Sequence, residues 1–194
     1  MIDIETFEKK LAALTGQPTP LRPFICDGSP LGCEVFIVGY NPATSMETDF
    51  WDYWVPGVGY DLSAWEEEYK RARGNSVTKT GKPKAALSAT RKRFQWIAEE
   101  ANRIGRTVRF LETNIYAFPT ARKSALGPEQ RNNEVFDFLL AAIKPKVLLV
   151  HGADATRHLQ AFGGASDVIA VSHLYNCSEC EARQYGREIR RRLQ

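Results

Sequence analysis

Residues Val35 to Thr44, VFIVGYNPAT, run from a wholly apolar stretch into a glycine and then an Asn-Pro pair. A short apolar run bounded by turn residues reads as a strand buried on both faces, the habit of parallel sheets covered by helices. Such a strand ends at the carboxyl edge of an open sheet, where α/β proteins gather their chemistry. Here it delivers the amide of Asn41 to that edge.

Three later segments repeat the form: Val108 to Asn114 (VRFLETN), Lys146 to His151 (KVLLVH) and Val168 to His173 (VIAVSH). Helical periodicity fills the intervals. An opening helix over Ile4 to Thr15 aligns Ile4, Phe7, Leu11 and Leu14 and stops at Gly16. A second is expected from the capping box Ser63 to Glu66 to about Gly74, and a third from Ser88 to Gly105 with Phe94, Ile97 and Ala101 inward. Pro128 suits the first turn of a fourth, which carries Val135, Leu139 and Ile143 to Pro145. A fifth spans Ala153 to Phe162, and the last starts at Ser178 with Glu181 three residues on. Strands separated by helices imply right-handed crossovers. The expected fold is therefore α/β: a three-layer α/β/α sandwich around a four-stranded parallel sheet, a single domain over residues 1–194.

With 194 residues, 43% hydrophobic and 25% charged, the chain has the composition of an ordinary globular domain, neither fibrous nor disordered. The amino terminus, MIDIETFEKK, lacks an apolar core, and no apolar run approaches a membrane span. A cytoplasmic protein without membrane partners, and a monomer, is expected. Its four cysteines, Cys26, Cys33, Cys177 and Cys180, are then expected to be reduced thiols. A C-x-x-C pair suggests zinc, but Cys33 precedes the first strand and Cys177 follows the last, which separates them by about 20 Å in a parallel sheet. No metal and no cofactor are expected. Cys177 and Cys180, at the start of a helix, are expected to have a lowered thiol pKa.

Net charge is only +3, yet nine basic residues and no acidic one lie between Tyr69 and Ala98, and five arginines (183, 187, 190, 191 and 192) stud the last helix. Such runs are either solvated faces or the footprint of a polyanionic partner. Asn75 to Lys84, NSVTKTGKPK, reads as a flexible loop that would bring Lys79, Lys82 and Lys84 to a phosphate backbone, with Arg91 beyond it.

The order of these strand tips, with Gly39, Tyr40, Asn41 and Pro42 after the first and a His-containing loop after the last, resembles the uracil-DNA glycosylase superfamily over residues 30–194. The resemblance implies a strand order of 2-1-3-4 and a monofunctional DNA glycosylase that flips out a deaminated base, uracil before others, and hydrolyses its glycosidic bond. DNA, single- or double-stranded, is the implied partner. The cysteine spacing departs from that of members with an iron-sulfur cluster. Two other readings stand beside it: a nucleic-acid-binding protein of the same fold with lost chemistry, and a hydrolase of free nucleosides, against which the extended basic stretch argues.

Within this resemblance Asn41 and His173 are the catalytic candidates. A neutral amide is a poor base, so Asn41 would hold the attacking water by its carbonyl oxygen and act through position. The bland reading is an Asn-Pro turn capping a strand. The family has Asp at this place in some members; Asn matches the mismatch-specific and single-strand-selective branches and implies slower catalysis. His173 would offer a neutral ring N–H to uracil O2 as charge builds there. Its alternative is a satisfied core histidine. Asn114 presents a donor and an acceptor complementary to uracil O4 and N3–H, or else begins an Asx-turn.

Gly39 and Tyr40 of the first motif, and Trp51, Tyr53 or Trp54 of the aromatic cluster after it, are the remaining base-pocket candidates; a ring there would stack on the extruded base. A hydrophobic lid is the alternative. Asp49 and Asp52 are read as solvated loop carboxylates, and His151 and His158 as structural. Arg122 and Lys123 would touch phosphate. The family's H-P-S is here His173, Leu174, Tyr175, so Leu174 or Tyr175 would be the wedge entering the duplex.

Overall fold

The computed structural model describes residues 2–43, 46–78, 80–160 and 167–194. In chain order the elements are α1 (Ile4–Thr15), β1 (Phe24–Cys26), β2 (Val35–Gly39), β3 (Trp54–Val55), β4 (Gly59–Tyr60), α2 (Leu62–Gly74), α3 (Ala89–Ala101), β5 (Phe110–Asn114), α4 (Glu134–Ile143), β6 (Val147–His151), α5 (Ala153–Gln160), β7 (Asp167–Val171) and α6 (Glu179–Arg192). The main sheet has five strands in the order β1-β5-β2-β6-β7, and β3 with β4 forms a separate hairpin. This corrects the expected four-stranded parallel sheet of order 2-1-3-4. An edge strand, β1, is added antiparallel to β5, pairing Phe24 with Thr113 and Cys26 with Leu111. The other four strands are parallel. β1 is only three residues long, too short for its alternation to register in the sequence.

β2 is buried at every position, which its central place explains. Strand geometry turns Phe36 and Val38 to one face and Val35 and Ile37 to the other. The first face packs against Phe7 and Leu11 of α1, Trp65 of α2, Phe136 and Leu139 of α4 and Ala155 of α5. The second meets Ile97 and Ala101 of α3 and Ala182 and Ile189 of α6. Helices thus cover both faces. Among the described residues no helix is long and apolar enough to cross a membrane.

The helix caps follow their side chains. Asp3 Oδ1 accepts from Thr6 N at 2.7 Å to start α1, and Gly16 ends it with a φ of 79° that suits glycine. α2 is capped by Asp61, which accepts from Ala64 N at 2.9 Å, rather than by Ser63. Both residues are good caps, and the aspartate two residues earlier starts the helix, with Trp65 of its first turn buried in the core. Ser88 caps α3, which ends at Ala101, before Gly105. Ser178 and Glu181 form the capping box of α6. Pro128 opens a short 3-10 turn, Pro128–Gln130, and α4 begins later at Glu134. The expected end of α5 at Phe162 lies outside the described residues.

The α3–α6 contact gives the arginines of the last helix partners of their own. Glu100 is 3% exposed, and Arg183, Arg187 and Arg190 reach its carboxylate at 3.8, 3.7 and 3.9 Å. Arg191 and Arg192 pair with Glu188 at 2.6 and 2.8 Å. Most of this charge is spent within the fold.

Candidate functional site

The parallel strands deliver their tips to one cavity of about 450 Å³, whose wall includes Asn41, Asn114, His151 and His173. Register explains the convergence: Gly39 pairs with Asn114, and His151 with Val171 two residues before His173. Gly39 has a steric reason to be glycine. A Cβ there would lie 2.5 Å from Asn114 Oδ1 and 3.2 Å from His151 Nε2.

Asn41 has a defined orientation. Its Nδ2 donates to Thr120 Oγ1 at 2.8 Å and to Pro42 O at 3.3 Å, and the Thr120 hydroxyl donates onward to Arg122 O at 2.9 Å. The amide nitrogen is thereby occupied, which leaves Oδ1 as the atom with free capacity. Asn114 makes no side-chain hydrogen bond to another described residue, so donor and acceptor are both open to a ligand.

His173 Nδ1 accepts from Tyr175 N at 3.2 Å. In the neutral ring the proton is then on Nε2, a donor. The ring stands edge-on to His151, with centroids 5.0 Å apart and planes at 82°. Burial, with the neighbouring His173 as a smaller cause, pushes His151 down to about 4 from its ordinary 6.5, so it is neutral at physiological pH.

Phe50, Tyr53 and Tyr60 give the cavity aromatic surface. Trp51 and Trp54 do not reach it, which corrects their place among the base-pocket candidates. Trp51 Nε1 donates to Gly16 O at 2.8 Å, and Trp54 stacks on Phe7 at 6.2 Å. Tyr40 also turns away, packing against Tyr116 at 5.1 Å beneath the Lys123 ammonium. Asp49 is not a free loop carboxylate: its oxygens accept from Thr19 N at 2.5 Å and Trp51 N at 2.8 Å, tying this loop to the chain after α1.

Arg91 is 7% exposed and belongs to the cavity wall, not to an external track. Its guanidinium forks onto Glu112 at 2.8 and 3.0 Å and lies over the Trp65 ring at 4.6 Å. Arg22 also lines the cavity and is paired with no carboxylate among the described residues; burial lowers its pKa. Lys82 and Lys84 are exposed, on a small hairpin in which Thr78 N donates to Lys82 O and Lys84 N to Ser76 O. These bonds give hairpin pairing to the stretch expected to be a flexible loop. Lys79 lies outside the described residues.

Arg122 is exposed, and Lys123 is bound to Asp154 at 2.6 Å. Leu174 is fully buried, which corrects its reading as a wedge; Tyr175 beside it is 64% exposed. Cys177 is buried, and desolvation, with Glu181 nearby, raises its thiol pKa rather than lowering it. Among the described residues no group of three or more His, Cys, Asp or Glu side chains is placed to hold a metal.

Sequence reasoning missed His151, Glu112 and Arg22 as cavity residues. For His151 the signal was present, since it ends a buried apolar strand as Asn114 and His173 follow theirs, with Gly152 beside it as Gly39 is beside Asn41's turn. Glu112 stands two residues before Asn114 on the same face of its strand, a period-two signal that was passed over, whereas Arg22 had none, because it precedes the unexpected edge strand. No protein-family model matches the chain, and no curated protein is similar to it.

Proposed function

We propose that the protein is a monofunctional DNA glycosylase that takes a flipped, deaminated base, uracil before others, into the cavity at the strand tips and hydrolyses its glycosidic bond. One observation carries this reading: Asn41, Asn114 and His173, from three separate strand ends, line one cavity, and each has an atom of the needed kind unengaged.

The chemistry requires a water on one side of the sugar carbon and a sink for charge on the other. Asn41 Oδ1 holds the water, since its nitrogen is fastened to Thr120. An amide so fixed contributes position rather than basicity. Asn114 reads the base through O4 and N3–H. His173 Nε2–H faces the oxygen on which charge develops, a stabilisation that is strongest at the transition state. The Phe50, Tyr53 and Tyr60 rings offer stacking surface. A Schiff-base route finds no support, because Lys123, the lysine that follows the second strand tip, is tied to Asp154. The α/β/α layering and the tip motifs agree with the resemblance to the uracil-DNA glycosylase superfamily. Lys82, Lys84, Arg122 and Tyr175 are exposed and would meet the strand.

The test is incubation with single- and double-stranded oligonucleotides carrying uracil, hypoxanthine or xanthine, followed by alkali. Cleavage at the uracil position is expected. Intact oligonucleotides in every case would overturn the reading.

A further inference from the structure

His151 is a half-buried titratable group at the strand tips to which the reaction above assigns no task. A histidine that serves only the fold ordinarily spends a ring nitrogen on a fixed partner. His151 does not: its Nδ1 is enclosed and has no hydrogen-bond partner among the described residues. The other nitrogen, Nε2, lies on the side of Gly39, where a Cβ would be 3.2 Å from it and 2.5 Å from Asn114 Oδ1. The imidazole edge and the base-reading amide therefore border the same small volume. The missing side chain at Gly39 lets both groups stand this close to the strand end, where both line the cavity.

With Nδ1 enclosed, Nε2 is the ring nitrogen that can meet a ligand, and the tautomer protonated there avoids a buried N–H without an acceptor. The ring is neutral and held edge-on to His173 at 5.0 Å, so two imidazoles reach one end of the cavity. Resting on the glycosylase reading, we propose that His151 is a second catalytic donor: its Nε2–H bonds the flipped base and shares with His173 the negative charge that builds as the base leaves. The electron pair of the sugar–base bond passes to the base, the water oxygen bonds the sugar carbon, and the water proton goes to solvent. His151 keeps its own proton throughout. Its low proton affinity suits this role, because a neutral donor does not hand its proton over prematurely.

A donor to the leaving base matters most when that base leaves poorly. Single-turnover excision of uracil and of 5-fluorouracil, whose anion is the more stable, should be compared for the unaltered protein, His151→Phe and His151→Gln. His151→Phe is expected to slow uracil release at least about tenfold. It should slow 5-fluorouracil release much less and leave DNA affinity unchanged. His151→Gln, whose amide also donates, should recover part of the uracil rate. Equal slowing of both bases in the Phe and Gln variants would make the residue structural and overturn the proposal. So would uracil release at the unaltered rate in both. If the unaltered protein releases neither base, it is the glycosylase reading that falls, and this inference with it.

Discussion

Asn41 and Thr120 are 79 residues apart in the chain, and the Asn41 amide nitrogen donates to the Thr120 hydroxyl at 2.8 Å. This bond decides which end of the amide is offered to the cavity. Asn41→Ala is expected to lower base excision at least about tenfold with DNA affinity nearly unchanged, because a group acting on the transition state alters rate and not binding. Thr120→Val, which frees the amide to turn, should give a smaller loss, and the double variant should be no worse than Asn41→Ala. Additive losses in single-turnover assays would separate the two residues.

Asn114→Asp should abolish uracil excision. Its carboxylate has no donor for O4, leaving a carbonyl unpaired in the cavity at about 1–3 kcal/mol before repulsion is added. Undiminished uracil release by this variant would assign base reading elsewhere.

Binding to undamaged duplex DNA should weaken steeply with salt, and replacing both Lys82 and Lys84 with Gln should flatten the dependence. Each phosphate contact contributes about 0.9 to the slope of log K against log salt. Equal slopes for the two proteins, measured by fluorescence anisotropy, would return the hairpin to solvent.

Burial of His151 ties stability to pH. Its pKa is about 4 in the fold against 6.5 unfolded, so the unfolded chain takes up the proton first as pH falls. The contribution of the neutral ring is complete above 6.5 and is lost between there and about 4, by at most about 1.4 kcal/mol per pH unit. The contribution of Glu188, held down to about 2 from 4.5 by Arg191 and Arg192, begins to be lost only below 4.5. Urea denaturation of His151→Phe should show a shallower loss between about pH 6.5 and about pH 4.5 than the unaltered protein. Parallel curves would contradict this.

Gly186 lets α6 approach α3 closely: a Cβ there would stand 2.6 Å from Ile97 O and 2.8 Å from Glu100 Cβ. Gly186→Ala should destabilise the protein by about 1–3 kcal/mol despite alanine's better helix propensity, since the neighbour is backbone and cannot turn aside. An unchanged or raised denaturation midpoint would show that the helices separate freely.

Much of the site was legible because its signals are local. Asn41, Asn114 and His173 each follow an apolar run, and strand geometry carries such residues to one edge whatever the rest of the chain does. The arginines of α6 were left undecided for the opposite reason: a charge run looks the same in sequence whether it faces solvent, a polyanion or a buried carboxylate such as Glu100. Trp51 and Trp54 were indistinguishable from Tyr53 until Phe7 and Gly16, from the far end of the chain, were seen to occupy them.

Apolar periodicity and turn chemistry by themselves determined the α/β class, the six helices and the strand ends that bear polar groups, because each depends on neighbours within a turn or a strand. Tertiary structure alone decided the fifth strand, the Arg91–Glu112 pair, the fastening of Asn41 by Thr120 and the place of His151 against His173. Each of these is a contact between segments tens of residues apart, set by how the two cores close on the sheet, and no local pattern encodes that distance.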